Sequence, residues 1–172
     1  MLQPQRDKDL TMTVLMTPDK GNFSGINVHG GEILKTLDHV AYACAARYTG
    51  SYAVTLSVDM VLFKHPIKVG SLVTFYASVN YTGRTSMEIG IKVISEDIKD
   101  KSQKHTNVCY FTMIAVDEAG KPTPVPKLSL DSEDDKRRYN DAIRRKEARL
   151  HVRESLGKYK QKMQAAAAAT TN

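Results

Sequence analysis

Hydrophobic positions change their period several times along the chain, and each change marks an element. Leu10 to Met16 (Leu-Thr-Met-Thr-Val-Leu-Met) alternates and predicts a short strand. Pro18 to Gly25 collects Pro, Asp, Gly, Asn and Ser, the composition of a loop. From Gly31 to Tyr48 the period becomes helical. Ile33, Leu34, Leu37, Val40, Ala41, Cys44, Ala45 and Tyr48 fall on one face, and Thr49-Gly50 supplies a stop. Four strand-like runs follow, over Tyr52 to Phe63, Leu72 to Tyr81, Thr85 to Ile94 and His105 to Val116. Their connections (Pro66 to Gly70, Thr82-Gly83-Arg84, Asp97 to Lys101) read as short turns, which predicts a meander of antiparallel neighbours.

One helix with a wide apolar face beside about five strands has an economical solution, a sheet curled around the helix. The fold class is therefore α+β. The third and fourth runs alternate cleanly, so one sheet face is expected to be polar or shared with a partner; the fifth, apolar on both faces in places, predicts a central strand or an interface. Gly120 to Pro126 is a proline-rich strap that ends the domain. The expected organisation is an irregular start over 1–9, the domain over 10–128, a charged helical extension over 129–163 and a disordered tail over 164–172. Ser132 and Asp135 have the spacing of a capping pair for that extension, whose thin apolar stripe predicts a helix lying on the domain surface.

Composition narrows the classes. A chain of 172 residues with 41% hydrophobic residues can bury a core unaided. It has no run near the roughly 18 apolar residues of a membrane span, and Met1 to Asp9 lacks the apolar stretch of a secretory signal. Two cysteines make no disulfide framework, so a cytoplasmic location is expected. The net charge of +6 suggests nucleic acid, an anionic surface or a phosphate-bearing small molecule. Its distribution changes that picture. The first 130 residues hold 14 Lys/Arg against 12 Asp/Glu, and the rest hold 11 against 7, so most of the excess lies in the extension.

The residues with candidate chemistry cluster around the helix start: Asn22-Phe-Ser-Gly25, His29-Gly30-Gly31, and Asp38 within the helix. Two glycines at a helix N-terminus leave N–H groups accessible where the dipole is positive, able to hold an anion or polarise a carbonyl. The same pair can simply permit a tight entry turn. Asp38 lies at the margin of the apolar face, where partial desolvation would make it a better base; it can equally be a boundary residue reaching water. His29 is a possible donor to a substrate or a cap. Cys44 and Cys109 read as buried packing. No His, Cys and Asp set has metal-ligand spacing, and no phosphate-binding loop or nucleophile elbow is present.

Four blocks, in order, resemble the hot-dog acyl-coenzyme A thioesterases: Asn22 to Val40, Val54 to Phe63, Asn80 to Ile89 and Phe111 to Pro122. The helix-wrapped sheet inferred above is that family's fold. The resemblance implies hydrolysis of fatty acyl-CoA to free acid and coenzyme A, with no metal or organic cofactor. It implies Asp38 as general base or nucleophile, Asn22 positioning water or substrate, and the Gly31 N–H polarising the carbonyl. Family members usually place three residues between Asn-x-x-Gly and Gly-Gly, and this chain has four, which keeps Asn27 as an alternative to Asn22. His29, Gly30 and Thr55 count among the implied substrate-binding residues. Arg84, Thr85 and Ser86 would line the coenzyme A channel, Arg84 meeting a phosphate or else facing solvent. The family's site is shared between subunits, so at least a homodimer is expected, with a hexamer of three dimers also open.

Other classes fit less well. A non-catalytic acyl-CoA-binding protein shares the fold. A nucleic-acid binder would rely on the extension, whose basic residues are interspersed with acids and offer few aromatics for stacking. A dehydratase would need a catalytic His that is not evident. No nucleic-acid partner and no membrane span are expected.

Overall fold

The structure, a computed structural model, describes residues 7–170, with side chains for residues 7–157. Its elements are β1 (Asp9–Leu15), a 3-10 turn (Pro18–Lys20), α1 (Gly30–Thr49), β2 (Tyr52–Asp59), β3 (Leu72–Thr82), β4 (Ser86–Glu96), β5 (Gln103–Val116) and α2 (Glu133–Thr170).

α1 begins and ends where its terminal backbone groups find partners. His29 is extended (φ −66°, ψ 132°) and its ring accepts from the Gly31 N–H, while Gly50 is left-handed (φ 70°) and donates to Ala46 O. Gly is suited to that conformation because it has no Cβ to clash. The buried face comprises Ile33, Leu37, Val40, Ala41, Cys44, Ala45 and Tyr48. Leu34, assigned to the same face by its spacing, is 40% exposed instead.

The five strands form one antiparallel sheet in the order β1-β3-β4-β5-β2. This is the hot-dog architecture, a single sheet and a long central helix, as the patterning implied. The simple meander needs correction. β2 does not neighbour β3; it pairs with β5 (Tyr52↔Val116 to Asp59↔Tyr110), and β3 takes β1 instead (Asp9↔Ser78 to Leu15↔Leu72). The run expected to reach Phe63 leaves strand geometry at Met60, where φ turns positive (32°). The segment from 60 to 71 is then held elsewhere, by Lys64 N–H to Thr106 O, Val69 N–H to Ile26 O and Ile67 O from the Val28 N–H.

Against α1 the sheet presents Val73, Phe75, Ala77 and Val79 from β3, Met87, Ile89, Ile91 and Val93 from β4, and Cys109, Phe111, Met113 and Ala115 from β5, all buried. Each large apolar side chain buried there contributes about 1.5–3 kcal/mol. β5 has a strand on both sides, which its two-sided apolarity foreshadows. The other face of the sheet is polar but not wet at its centre: Glu88 and Asn80 are 2% and 5% exposed, with Asn80 Nδ2 donating to Glu88 Oε1 at 3.5 Å.

The strap crosses the hairpin end of the sheet. Thr123 N–H donates to Ala115 O, Val125 N–H to Arg84 O and Leu128 N–H to Thr82 Oγ1, while Tyr48 Oη donates to the carbonyls of Pro126 and Lys127. The chain divides after it into two units, Met1–Ser129 and Leu130–Asn172. Within the second, Ser132 and Asp135 cap each other reciprocally: the Ser132 N–H reaches Asp135 Oδ2 at 3.0 Å and the Asp135 N–H reaches Ser132 Oγ at 3.1 Å. Lys136 with Glu133, and Arg137 and Arg138 with Asp134, tie the first turns. The hydrogen bond from Arg137 and the charges of Arg138 and Arg137 hold the Asp134 carboxyl below the usual range. The helix continues through Ala165 to Ala169, part of the stretch expected as a disordered tail; alanine has the highest helix propensity. Thr171 and Asn172 lie outside the described residues. No helix among the described residues is long and apolar enough to cross a membrane.

Candidate active site

The loop ahead of α1 is folded by its own polar residues. Pro18 opens the 3-10 turn, Gly21 bridges to Val28, the Asn22 N–H reaches Asn27 O at 2.7 Å, and the Gly25 N–H returns to Asn22 O at 2.9 Å, with Gly25 left-handed at φ 69°. Asn22 Oδ1 accepts from Ser24 N–H (3.2 Å) and Ser24 Oγ–H (2.8 Å). That Asx turn commits the oxygen and leaves the Nδ2 hydrogens for another partner.

This loop forms one wall of a cleft of about 330 Å3. Asn22, Asn27 and Gly30 face it from the helix-start side, and Phe63, His65, Pro66 and Ile67 from the segment after β2, over a floor that includes Val28 and Ile33. Both asparagines line it, so the cleft alone does not choose between them. The aromatic and proline contribution was missed in the sequence, where 66–70 read as a plain turn and Phe63 as the end of a strand; the proline at 66 directly after that apolar run is the one signal that the strand stops short.

Gly31 does not line the cleft. Its N–H, expected to polarise a carbonyl, donates to His29 Nδ1 at 2.9 Å. His29 thus serves as the helix cap, one of the two readings its position allowed. Gly30 lines the cleft, and its N–H has no hydrogen-bond partner among the described residues.

Asp38 sits two turns along α1, half-buried, and accepts a hydrogen bond from Thr55 Oγ1 at 2.6 Å. Thr55 belongs to β2 at the register shift between Thr55 and Ser57, and its hydroxyl also lies 3.3 Å from Met113 Sδ. A hydroxyl donor of this kind orients a carboxylate. The pairing of these two residues was not legible in the sequence. Asp38 is not among the residues lining the Asn22 cleft of the same chain.

Arg84, Thr85 and Ser86 form the β3–β4 turn, closed by Gly83 N–H to Ser86 O at 2.7 Å. Ser86 pairs with Ile114, near the end of β5 that meets the start of β2. The cleft lies at the other end of β5, where Lys64 binds Thr106. Within one chain these three residues and the cleft are therefore apart. Cys44 and Cys109 are buried and their thiols are pushed up to about 12 by desolvation, so neither presents a thiolate at neutral pH. Among the described residues no group of three or more His, Cys, Asp or Glu could hold a metal.

Comparison with known proteins places this geometry. The model of the thioesterase superfamily matches residues 26–101. Protein VdlD of Helicobacter pylori is 54% identical over 150 residues, 87% of this chain and 85% of that protein. The cytosolic acyl coenzyme A thioester hydrolase of Rattus norvegicus is 37% identical over 116 residues, 66% of this chain but only 30% of the rat protein. Among solved structures, an apo-hexameric acyl-CoA thioesterase superposes with a TM-score of 0.80 at 37% identity, covering 84% of this chain and 92% of that one. The acyl-CoA hydrolase of Staphylococcus aureus, solved with butyryl coenzyme A, coenzyme A and coenzyme A disulfide, gives 0.79 at 28% identity, over 93% and 95%. The same hydrolase with a single threonine, asparagine or aspartate replaced by alanine also matches. By sequence and by fold, the chain belongs to the hot-dog thioesterase superfamily.

Proposed function

We propose that this protein hydrolyses acyl-CoA thioesters, with Asp38 as the base or nucleophile. The observation that carries the reading is the Asp38–Thr55 hydrogen bond. In the Staphylococcus aureus hydrolase the aspartate and threonine chosen for replacement stand 17 positions apart, as Asp38 and Thr55 do here. Its asparagine precedes the aspartate by 15 positions; Asn22 precedes Asp38 by 16 and Asn27 by 11, which favours Asn22 with one inserted residue.

As a base, Asp38 takes a proton from water as the water oxygen bonds to the thioester carbon. As a nucleophile, its oxygen forms that bond first, and water then hydrolyses the resulting anhydride. Asn22 offers its Nδ2 hydrogens to water or substrate. Negative charge developing on the carbonyl oxygen meets the helix-start N–H groups: Gly30 lines the cleft, and the Gly31 N–H requires the His29 ring to give way. The C–S bond breaks and the coenzyme A thiolate takes up a proton. Since Asp38 and the Asn22 cleft are separate within one chain, the complete site comes from two subunits, in a dimer at minimum and in a hexamer like that of the apo-hexameric relative. Arg84, Thr85 and Ser86 would meet the coenzyme A portion. A cytoplasmic setting agrees with the rat relative's cytosolic name.

A thiol-release assay on short, medium and long acyl-CoAs tests this. Asp38→Ala is expected to lose about 10²–10⁴-fold in turnover, and Asn22→Ala to lose far more than Asn27→Ala. Full turnover in Asp38→Ala would remove it from the chemistry, and tight acyl-CoA binding without hydrolysis by the wild type would make the protein a sensor.

A further inference from the structure

Of the residues that line the cleft, His65 is the one with an ionisable side chain; the rest contribute asparagine amides, apolar groups and glycine backbone. Histidine is also the side chain whose ordinary range lies nearest neutrality, so it can give and recover a proton under working conditions. The rings of His29 and His105 are committed, the first to the Gly31 N–H and the second to the Asn107 carbonyl. His65 is exposed, and its ring has no hydrogen-bond partner among the described residues. Nothing in the fold uses this imidazole.

Its backbone, by contrast, is held on both sides. The Lys64 N–H donates to Thr106 O at 2.9 Å, which ties the chain before His65 to β5. After it, Ile67 O accepts from the Val28 N–H at 2.8 Å, and Lys68 bridges to Asn27, which ties the chain to the loop ahead of α1. Pro66 between them disfavours helical backbone at the residue before it. His65 therefore stands on a short span fixed at both ends, across the cleft from Asn22 and Gly30. At about 330 Å3 the cleft is at the small end of the range for ligand sites, so a thioester held at one wall has its sulfur close to the other.

We propose that His65 is a further catalytic residue, the general acid that protonates the departing coenzyme A sulfur. The inference rests on the thioesterase reading, whose mechanism gives that proton no source. If Asp38 attacks as a nucleophile it carries no proton when the C–S bond breaks, and so has none to pass on. If it acts as a base it holds the proton of the attacking water, but it does not line the cleft of its own chain. In either route the tetrahedral oxyanion collapses, the C–S electron pair moves onto sulfur, and the His65 imidazolium gives sulfur its proton and is left as neutral imidazole. An alkyl thiol holds its proton more tightly than an imidazolium does, so this transfer runs downhill. A proton from Asp38 or from the newly formed acid then returns through solvent to His65. Each turnover consumes one water and yields the free acid and the thiol.

The test compares two thioesters of the same acyl group, one of coenzyme A and one of 4-nitrothiophenol, whose thiolate is stable enough to leave without a proton. His65→Gln keeps a polar side chain but has no imidazolium. It is expected to lose about 10²-fold in kcat on the acyl-CoA and little on the aryl thioester, whereas Asp38→Ala should lose turnover on both. His65→Ala should follow His65→Gln, and imidazole added to it should restore turnover of the acyl-CoA. Thermal unfolding of each variant checks that it is folded. Equal losses of the His65 variants on the two thioesters overturn the proposal, by making the residue structural or a binding group. An unchanged kcat on the acyl-CoA also overturns it and leaves the thioesterase reading standing. If the wild type does not accept the aryl thioester, imidazole decides, and failure to rescue His65→Ala overturns the proposal. A wild type that hydrolyses no acyl-CoA defeats the thioesterase reading and, with it, this inference.

Discussion

At the scale of single residues, His29 holds the hydrogen atom that the proposed mechanism would offer to a substrate carbonyl. The Gly31 N–H is already donated to the His29 ring, whereas that of Gly30, a residue lining the cleft, has no partner among the described residues. Substitution separates the two. A Cβ at Gly30 would meet only the Phe63 ring at 3.7 Å, an ordinary contact, so Gly30→Ala should keep its activity. Gly30→Pro removes the N–H alone, since proline is accepted at the first helical position; kcat should fall about 10²–10³-fold if that hydrogen meets the oxyanion. Retained activity in a folded Gly30→Pro protein would return the role to Gly31. A Cβ at Gly31 would lie 2.9 Å from His29 Nδ1, so Gly31→Ala must also displace the cap and cannot serve as a clean control. The residue types of this site were legible in the chain because chemistry is carried by type. Their hydrogen bonds were not: nothing in the letters states that His29 turns back on Gly31, or that Thr55 reaches Asp38.

Elements were legible where their signals are local. α1 could be read nearly to its ends, because its apolar spacing and its terminal glycine both act within a few residues. Gly50→Ala tests the stop: at φ 70° a side chain costs about 1 kcal/mol, read as a lower unfolding temperature without loss of specific activity. The reciprocal cap of α2 was visible for the same reason. Strand partners were not. β2 and β3 are consecutive and their patterns would suit a hairpin, yet β2 pairs with β5 across the sheet. Pairing depends on which free edge a strand can reach, and that depends on where α1 carries the chain. Once β2 is moved, the segment after it becomes a wall of the cleft, so the error in topology and the missed Phe63 and His65 have one cause.

For the whole molecule, the separation of Asp38 from the Asn22 cleft predicts complementation between defective chains. Asp38→Ala and Asn22→Ala proteins, each inactive, should regain activity when co-refolded. In a random mixture about half the dimers are mixed and each holds one intact site, giving about a quarter of wild-type activity. Mixtures that stay inactive while exchanging subunits would confine the site to one chain. The net charge has little part in this account. It is concentrated in the second unit, where Asp134 and Asp141 pair with Arg137, Arg138 and Arg144 along a single helix.

The edge strand β2 carries a further implication. Val54, Leu56 and Val58 are 42%, 63% and 43% exposed along it, and one side of its backbone has no strand beside it. Such an edge templates pairing with any other chain. If the proposed dimer covers this edge, a lone newly made copy is exposed to misassociation until its neighbour arrives, and its persistence as folded protein should depend on how many siblings surround it. On the proposed assembly, supply and survival of this polypeptide would be coupled, so its yield should respond to the rate of synthesis as well as to the stability of the finished fold.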